Sequence, residues 1–409
     1  MKRVLFTLAI SSVVFLTSCS SDDDATGTEM DEAIVIDNPA SYSFERNGET
    51  TVSFGGQTTR ILMAQELLGA FTTNTNTAET LKSIYAHEEG AADFEDADLN
   101  ASDKSLRSKT AASVDYFSTN ATDQALIRAD FESWIDGQVN DVFTNWNVTA
   151  EAGVAGQLAD GEKTRYINAQ GLEYNQLFAK GLIGALMTDQ ALNNYLSTAV
   201  LDEGSSREDN DAGTVLEGSS YTNMEHKWDE AYGYIYGLNA DASNPNADLG
   251  ADSFLNEYIG KLEEDPDFAG IADEIFQAFK LGRAAIVAGD YDIRDAQAEI
   301  IREKISLVPA VRGVFYMQRA KATLADAVPN YASAFHALSE AYGFIYSLRF
   351  TRKPGTDAPY FSKEESNELL EELMEDGVNG LWDVEAETID EICEDIAERF
   401  GFTVAQAGE

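Results

Sequence analysis

The chain has 409 residues, 44% of them hydrophobic, which is enough apolar material to bury a large core in one duplicated domain or two domains. Its 72 acidic residues against 28 basic ones give a formal net charge of -44, which argues against nucleic acid or anionic lipid as a partner and fits cations or plain solubility. Cys19 and Cys393 are the only cysteines, so no internal disulfide framework is expected and stability has to come from burial.

Residues 1–19 read as a lipoprotein signal peptide. Lys2 and Arg3 precede an apolar run from Val4 to Leu16, and Leu16-Thr17-Ser18-Cys19 fits a lipobox whose cysteine is acylated after cleavage. The run is too short for a stable transmembrane span. Cys19 is thus the expected lipidation site, and the chain is expected at the outer membrane, on the cell surface or the periplasmic face. Residues 20–40 carry no period and read as a flexible tether. Next, Tyr42 to Arg46 and Glu49 to Phe54 flank Asn47-Gly48, a strong two-residue hairpin signal, expected to form the only sheet of any size.

From Gln57 the pattern becomes helical. Helices are expected over 60–72, 77–89, 104–116, 121–146 and 170–200, with a small-residue loop at 149–163. An acidic loop at 201–220 follows, where Asp209 and Asp211 before Gly213 hint at calcium without the spacing of an EF-hand. Further helices are expected over 254–262, 268–287, 293–326, 363–375 and 387–400. The last 49 residues hold sixteen Asp or Glu against Lys363 and Arg399, a pattern of solvated helix faces.

One helix is used twice. Residues 226–238 (HKWDEAYGYIYGL) and 336–348 (HALSEAYGFIYSL) are identical at eight of thirteen positions, including two of the three histidines in the chain. Within each copy His226, Glu230 and Gly233, or His336, Glu340 and Gly343, fall on one narrow stripe at i, i+4 and i+7. The repeat implies an all-α, duplicated helical bundle with a short N-terminal β-hairpin, divided into a first bundle over 41–262 and a second over 263–409. A pseudo-two-fold arrangement would bring His226, Glu230, His336 and Glu340 to one interface, a donor set suited to iron, zinc or manganese. The competing expectation is that each histidine pairs with its own glutamate or a backbone group and fixes a helix crossing.

The lipobox and the His-bearing helix together resemble the imelysin-like proteins, whose signature is Gly-x-His-x-x-Glu. More closely, TVSFGGQT at 51–58, GLEYNQLFAKGLIGA at 171–185 and EHKWDEAYGY at 225–234 resemble the lipoproteins that accompany imelysins in Bacteroidota. The resemblance implies a lipid-anchored protein of two helical bundles linked to iron acquisition, with an outer-membrane transporter as a partner. The signature itself is altered: Asp229 and Ser339 stand at i+3 after the histidines, the glutamates stand at i+4, and Met224 and Ala334 replace the glycine. No HExxH and no GxSxG is present, so no catalytic residue is assigned and a peptidase is the lesser alternative. The other alternative is a scaffold lipoprotein of a transporter or glycan-uptake system. The leading expectation is a non-enzymatic binding protein for iron or another divalent metal.

Overall fold

A computed structural model describes residues 36–408; the expected signal peptide, Cys19 and most of the expected tether lie outside the described residues. No helix among the described residues is long and apolar enough to cross a membrane. Asn47 and Gly48 both adopt positive φ, at 55° and 85°, as a tight two-residue turn requires. They join β1 (Glu45–Arg46) to β2 (Glu49–Thr50), with Arg46 opposite Glu49. A second and longer hairpin replaces the loop expected at 149–163. Its strands β3 (Gly156–Asp160) and β4 (Lys163–Ile167) pair antiparallel across Gly161-Glu162. Gly161, at φ 63°, is the first residue of this two-residue loop, a hairpin signal masked by the small residues that precede it.

Among the described residues every other regular element is helical, so the fold is all-α. The helices of eight or more residues are α1 (Gly55–Ala70), α2 (Ala78–Ala86), α3 (Ala121–Gly137), α4 (Tyr174–Leu182), α5 (Asn223–Tyr236) and α6 (Leu255–Glu264). They continue with α7 (Ile271–Ala288), α8 (Tyr291–Leu324), α9 (Tyr331–Ser347), α10 (Lys363–Glu375) and α11 (Ala386–Phe400). The stretch expected as one helix at 104–116 is two short turns, Leu106–Lys109 and Val114–Phe117, separated by Ala111 at φ 49°. Asp209 and Asp211 belong to the short helix Ser206–Asp211, where Asp211 accepts a hydrogen bond from Tyr291 at 2.6 Å.

Helix α4 runs on as π-helical turns over Ile183–Thr188 and Ala191–Tyr195, all buried. Helices from both sides of residue 262 interleave: α9 packs against α8 and also against α4, while α5 packs against α1 and α7. The described residues, 36–408, make a single unit.

The repeated helix does the same mechanical job twice. A Cβ on Gly233 would run into Phe54 and Gln57 at the start of α1, and one on Gly343 would run into Lys180, Gly181 and Leu177 of α4. Glycine at this position of the repeat therefore sets two close helix crossings. Gly233→Ala and Gly343→Ala should each destabilise the fold by about 1–3 kcal/mol through overpacking. Gly313→Ala, whose new Cβ would meet Phe344 and Ile345 at ordinary distances of 3.6 and 3.9 Å, should be neutral or gain up to about 1 kcal/mol in helix propensity. Urea denaturation of the three variants separates the cases, and equal losses would refute the assignment of the repeat glycines to the crossings.

Candidate functional site

The two His/Glu pairs keep separate company. In α5, His226 Nδ1 lies 3.0 Å from the carbonyl oxygen of Ser53, and its ring stacks on Tyr221. Glu230 accepts from Lys227 at 2.8 Å and from Gln57 at 3.1 Å. Burial alone would raise the Glu230 carboxyl, but the Lys227 ammonium and Gln57 outweigh it and hold it below the usual range. Burial lowers the His226 imidazole, so this copy reads as a neutral histidine packed under the segment that follows the first hairpin.

The second copy lines a cleft. His336 Nδ1 lies 2.6 Å from Glu173 Oε2, and its Nε2 lies 3.6 Å from Glu340 Oε2. Glu173 is carried at the N-terminus of α4, where its backbone N–H donates to Ser339 Oγ at 2.9 Å. Two cations close the group: Lys180 Nζ stands 3.3 Å from Glu340 Oε1, and Arg165 Nη1 stands 3.0 Å from His336 Nδ1. The phenol of Tyr258 donates to Glu340 at 3.3 Å. The second hairpin supplies Arg165 and fixes it, since Arg165 Nε donates to Asp160 Oδ2 at 2.9 Å and Asn330 donates to the other oxygen at 3.1 Å.

These groups line a cleft of about 620 Å³ whose walls come from the second hairpin, α4, α8, α9 and the entry to α6. Lys163, Arg165, Lys180 and Arg319 line it, against Asp160, Glu162, Glu257 and Glu340. Equal numbers of each sign are a local enrichment in cations, because the whole chain carries 72 acidic and 28 basic residues.

His226, Glu230, His336 and Glu340 thus belong to two networks that share no partner. Among the described residues no group of three or more His, Cys, Asp or Glu is arranged to hold a metal ion. His336, Glu340 and Glu173 do stand together, but Lys180 and Arg165 already supply positive charge to the same groups. Glu173, Arg165, Lys180 and Tyr258 were not singled out by the repeat. Of these only Lys180 had a readable signal, as a charged residue in the otherwise apolar run Leu177 to Leu186.

Neither a curated protein nor a solved structure matches the chain. The model of a family described as a domain of unknown function, DUF4856, matches residues 39–403, and the chain belongs to that family.

Proposed function

We propose that this chain is a non-enzymatic binding protein, anchored through lipid on Cys19, that holds a small polar solute in the cleft at His336 and serves uptake beside an outer-membrane transporter. The observation that carries the reading is the cleft itself, about 620 Å³ with charged groups of both signs converging from separate elements. The imidazole of His336 supports binding over hydrolysis: it is flanked by the Glu173 and Glu340 carboxylates, and no serine, threonine or cysteine among the described residues is hydrogen-bonded to it. The lipobox and the resemblance to lipoproteins of iron-acquisition loci support the anchoring and the link to uptake.

A second reading keeps iron or another divalent metal as the ligand. It is favoured by one imidazole lying between two carboxylates, and it requires Arg165 and Lys180 to swing away from them. Thermal-shift screening of the full chain against sugars, organic acids and Mn(II), Zn(II) or Fe(II) decides between the two. The comparison is with Ser333→Trp, which narrows the cleft from its rim, and with His336→Ala. Stabilisation by organic solutes that Ser333→Trp abolishes is the expected result. Saturable metal binding lost in His336→Ala would favour the second reading, and solute binding unaffected by Ser333→Trp would move the site elsewhere.

A further inference from the structure

We infer that the cleft at His336 is an oxyanion site, taking a small solute that bears a carboxylate or phosphate, with Arg312 and Arg319 of α8 as its recognition groups. This rests on the binding reading of that cleft and names its ligand class. Arg312, Tyr316 and Arg319 are spaced i, i+4 and i+7, so they share one face of α8. Tyr316 and Arg319 line the cleft.

Arg312 is 8% exposed, and its Nε is buried with no acceptor. It makes no ion pair with any described residue, and the polar group it meets is the Tyr316 hydroxyl. Its guanidinium instead lies over Phe315 at 3.9 Å, Tyr316 at 4.7 Å and Tyr258 at 5.8 Å, and the two tyrosines are cleft walls. The other buried arginines, Arg60, Arg283, Arg294, Arg302, Arg349 and Arg352, each donate to at least one protein oxygen. A buried guanidinium N–H without an acceptor is costly, and ring faces compensate only part of that cost. Arg319 and Lys163 at the rim likewise have no acidic partner among the described residues, in a chain where acids outnumber bases 72 to 28. Glu162 and Glu257 in the same lining are likewise unpaired among the described residues, so it is the buried Arg312 guanidinium rather than the net charge of the cleft that an oxyanion would satisfy, its planar shape suited to bidentate contact.

The test is calorimetry and thermal shift on the full chain with inorganic phosphate, glucuronate and neutral glucose at matched ionic strength. Saturable binding of phosphate or glucuronate, with glucose inert, is expected, and whichever probe binds distinguishes the two sources of the anion. Affinity should fall at least tenfold in Arg312→Met and severalfold in Arg319→Ser, an exposed position whose substitution leaves packing intact. Anion binding retained in both variants would overturn the proposal. Glucose binding that Ser333→Trp abolishes would overturn the anion assignment while leaving the cleft a binding site. Failure of all three probes to bind would overturn both.

Discussion

Arg283→Met should cost the fold about 3–5 kcal/mol, the range for breaking a buried ion pair by removing one partner. Arg283 and Asp229 are fully buried, and Glu225 is almost so. The guanidinium donates to Asp229 at 3.1 Å, to Glu225 at 3.1 Å and to Thr51 Oγ1 at 3.0 Å. Around this core the N-terminal segment is tied down: Tyr42 donates to Asp229 at 2.6 Å, the Ser53 N–H donates to it at 3.1 Å, and Arg46 donates to Glu225 at 2.8 Å. The two acids and two arginines balance. Removing Arg283 leaves one buried negative charge uncompensated, while methionine fills most of the volume. Burial already pushes the Asp229 carboxyl up to about 6 against the pull of Arg283. In the variant that carboxyl rises further, so the deficit should be largest above pH 7 and shrink toward pH 5, where Asp229 can be neutralised by a proton. Urea denaturation at both pH values measures it. A loss below about 1 kcal/mol at pH 7.5 would mean that the network contributes little to holding the hairpin segment on α5 and α7.

How much of this was readable in the chain depends on how local each signal is. The Asn47-Gly48 turn, the limits of α10 and α11, and the helix at each copy of the repeat follow from turn chemistry, capping and period, all settled within a few residues. The repeat also led to His336 and Glu340, which are part of the cleft. Its partners were beyond reach because they come from far along the chain: Glu173 lies 163 residues before His336, and Arg165 lies 171 before it.

The same thirteen-residue pattern ends in two different environments. His226 meets a backbone carbonyl at Ser53, whereas His336 meets the carboxylate of Glu173, and nothing inside the repeat specifies that difference. Arg312, Tyr316 and Arg319 form a visible stripe in the sequence. A stripe of that kind is ordinarily a solvated face, and only the burial of Arg312 with its Nε lacking an acceptor marks it out.

Stability should fall as pH rises from about 4 to 7, the reverse of the trend that salt-bridged carboxylates give. Asp252 is 4% exposed, with one oxygen accepting the Phe254 N–H at 2.7 Å and the other buried without a partner. Burial pushes its carboxyl up to about 7. Asp189 is fully buried, its Oδ2 accepts the Ala112 and Ser113 N–H groups, and burial raises it to about 6. An unfolded aspartate titrates near 3.9. Between that value and the folded ones the native state holds protons that the unfolded state has released, so the slope of unfolding free energy with pH is negative. The contribution is fully present below about pH 4 and lost as pH passes the folded values of 6 and 7.

Asp202 works in the opposite sense. Burial would raise it, but Arg207 and Arg294 bring it down to about 2, so its stabilisation is lost only as pH falls below about 4. The optimum is therefore expected at pH 4–5. A three-unit shift corresponds to about 4 kcal/mol at most for Asp252, and relaxation around the site reduces that. Asp252→Asn, which keeps the acceptor for Phe254 and removes the titration, should be about 2 kcal/mol more stable than the parent at pH 8 and indistinguishable from it at pH 4. Urea midpoints from pH 4 to 8 test this: a parent stability that climbs through pH 5–7, or a variant that tracks the parent throughout, would show that Asp252 is ionised in the folded protein and finds a donor there.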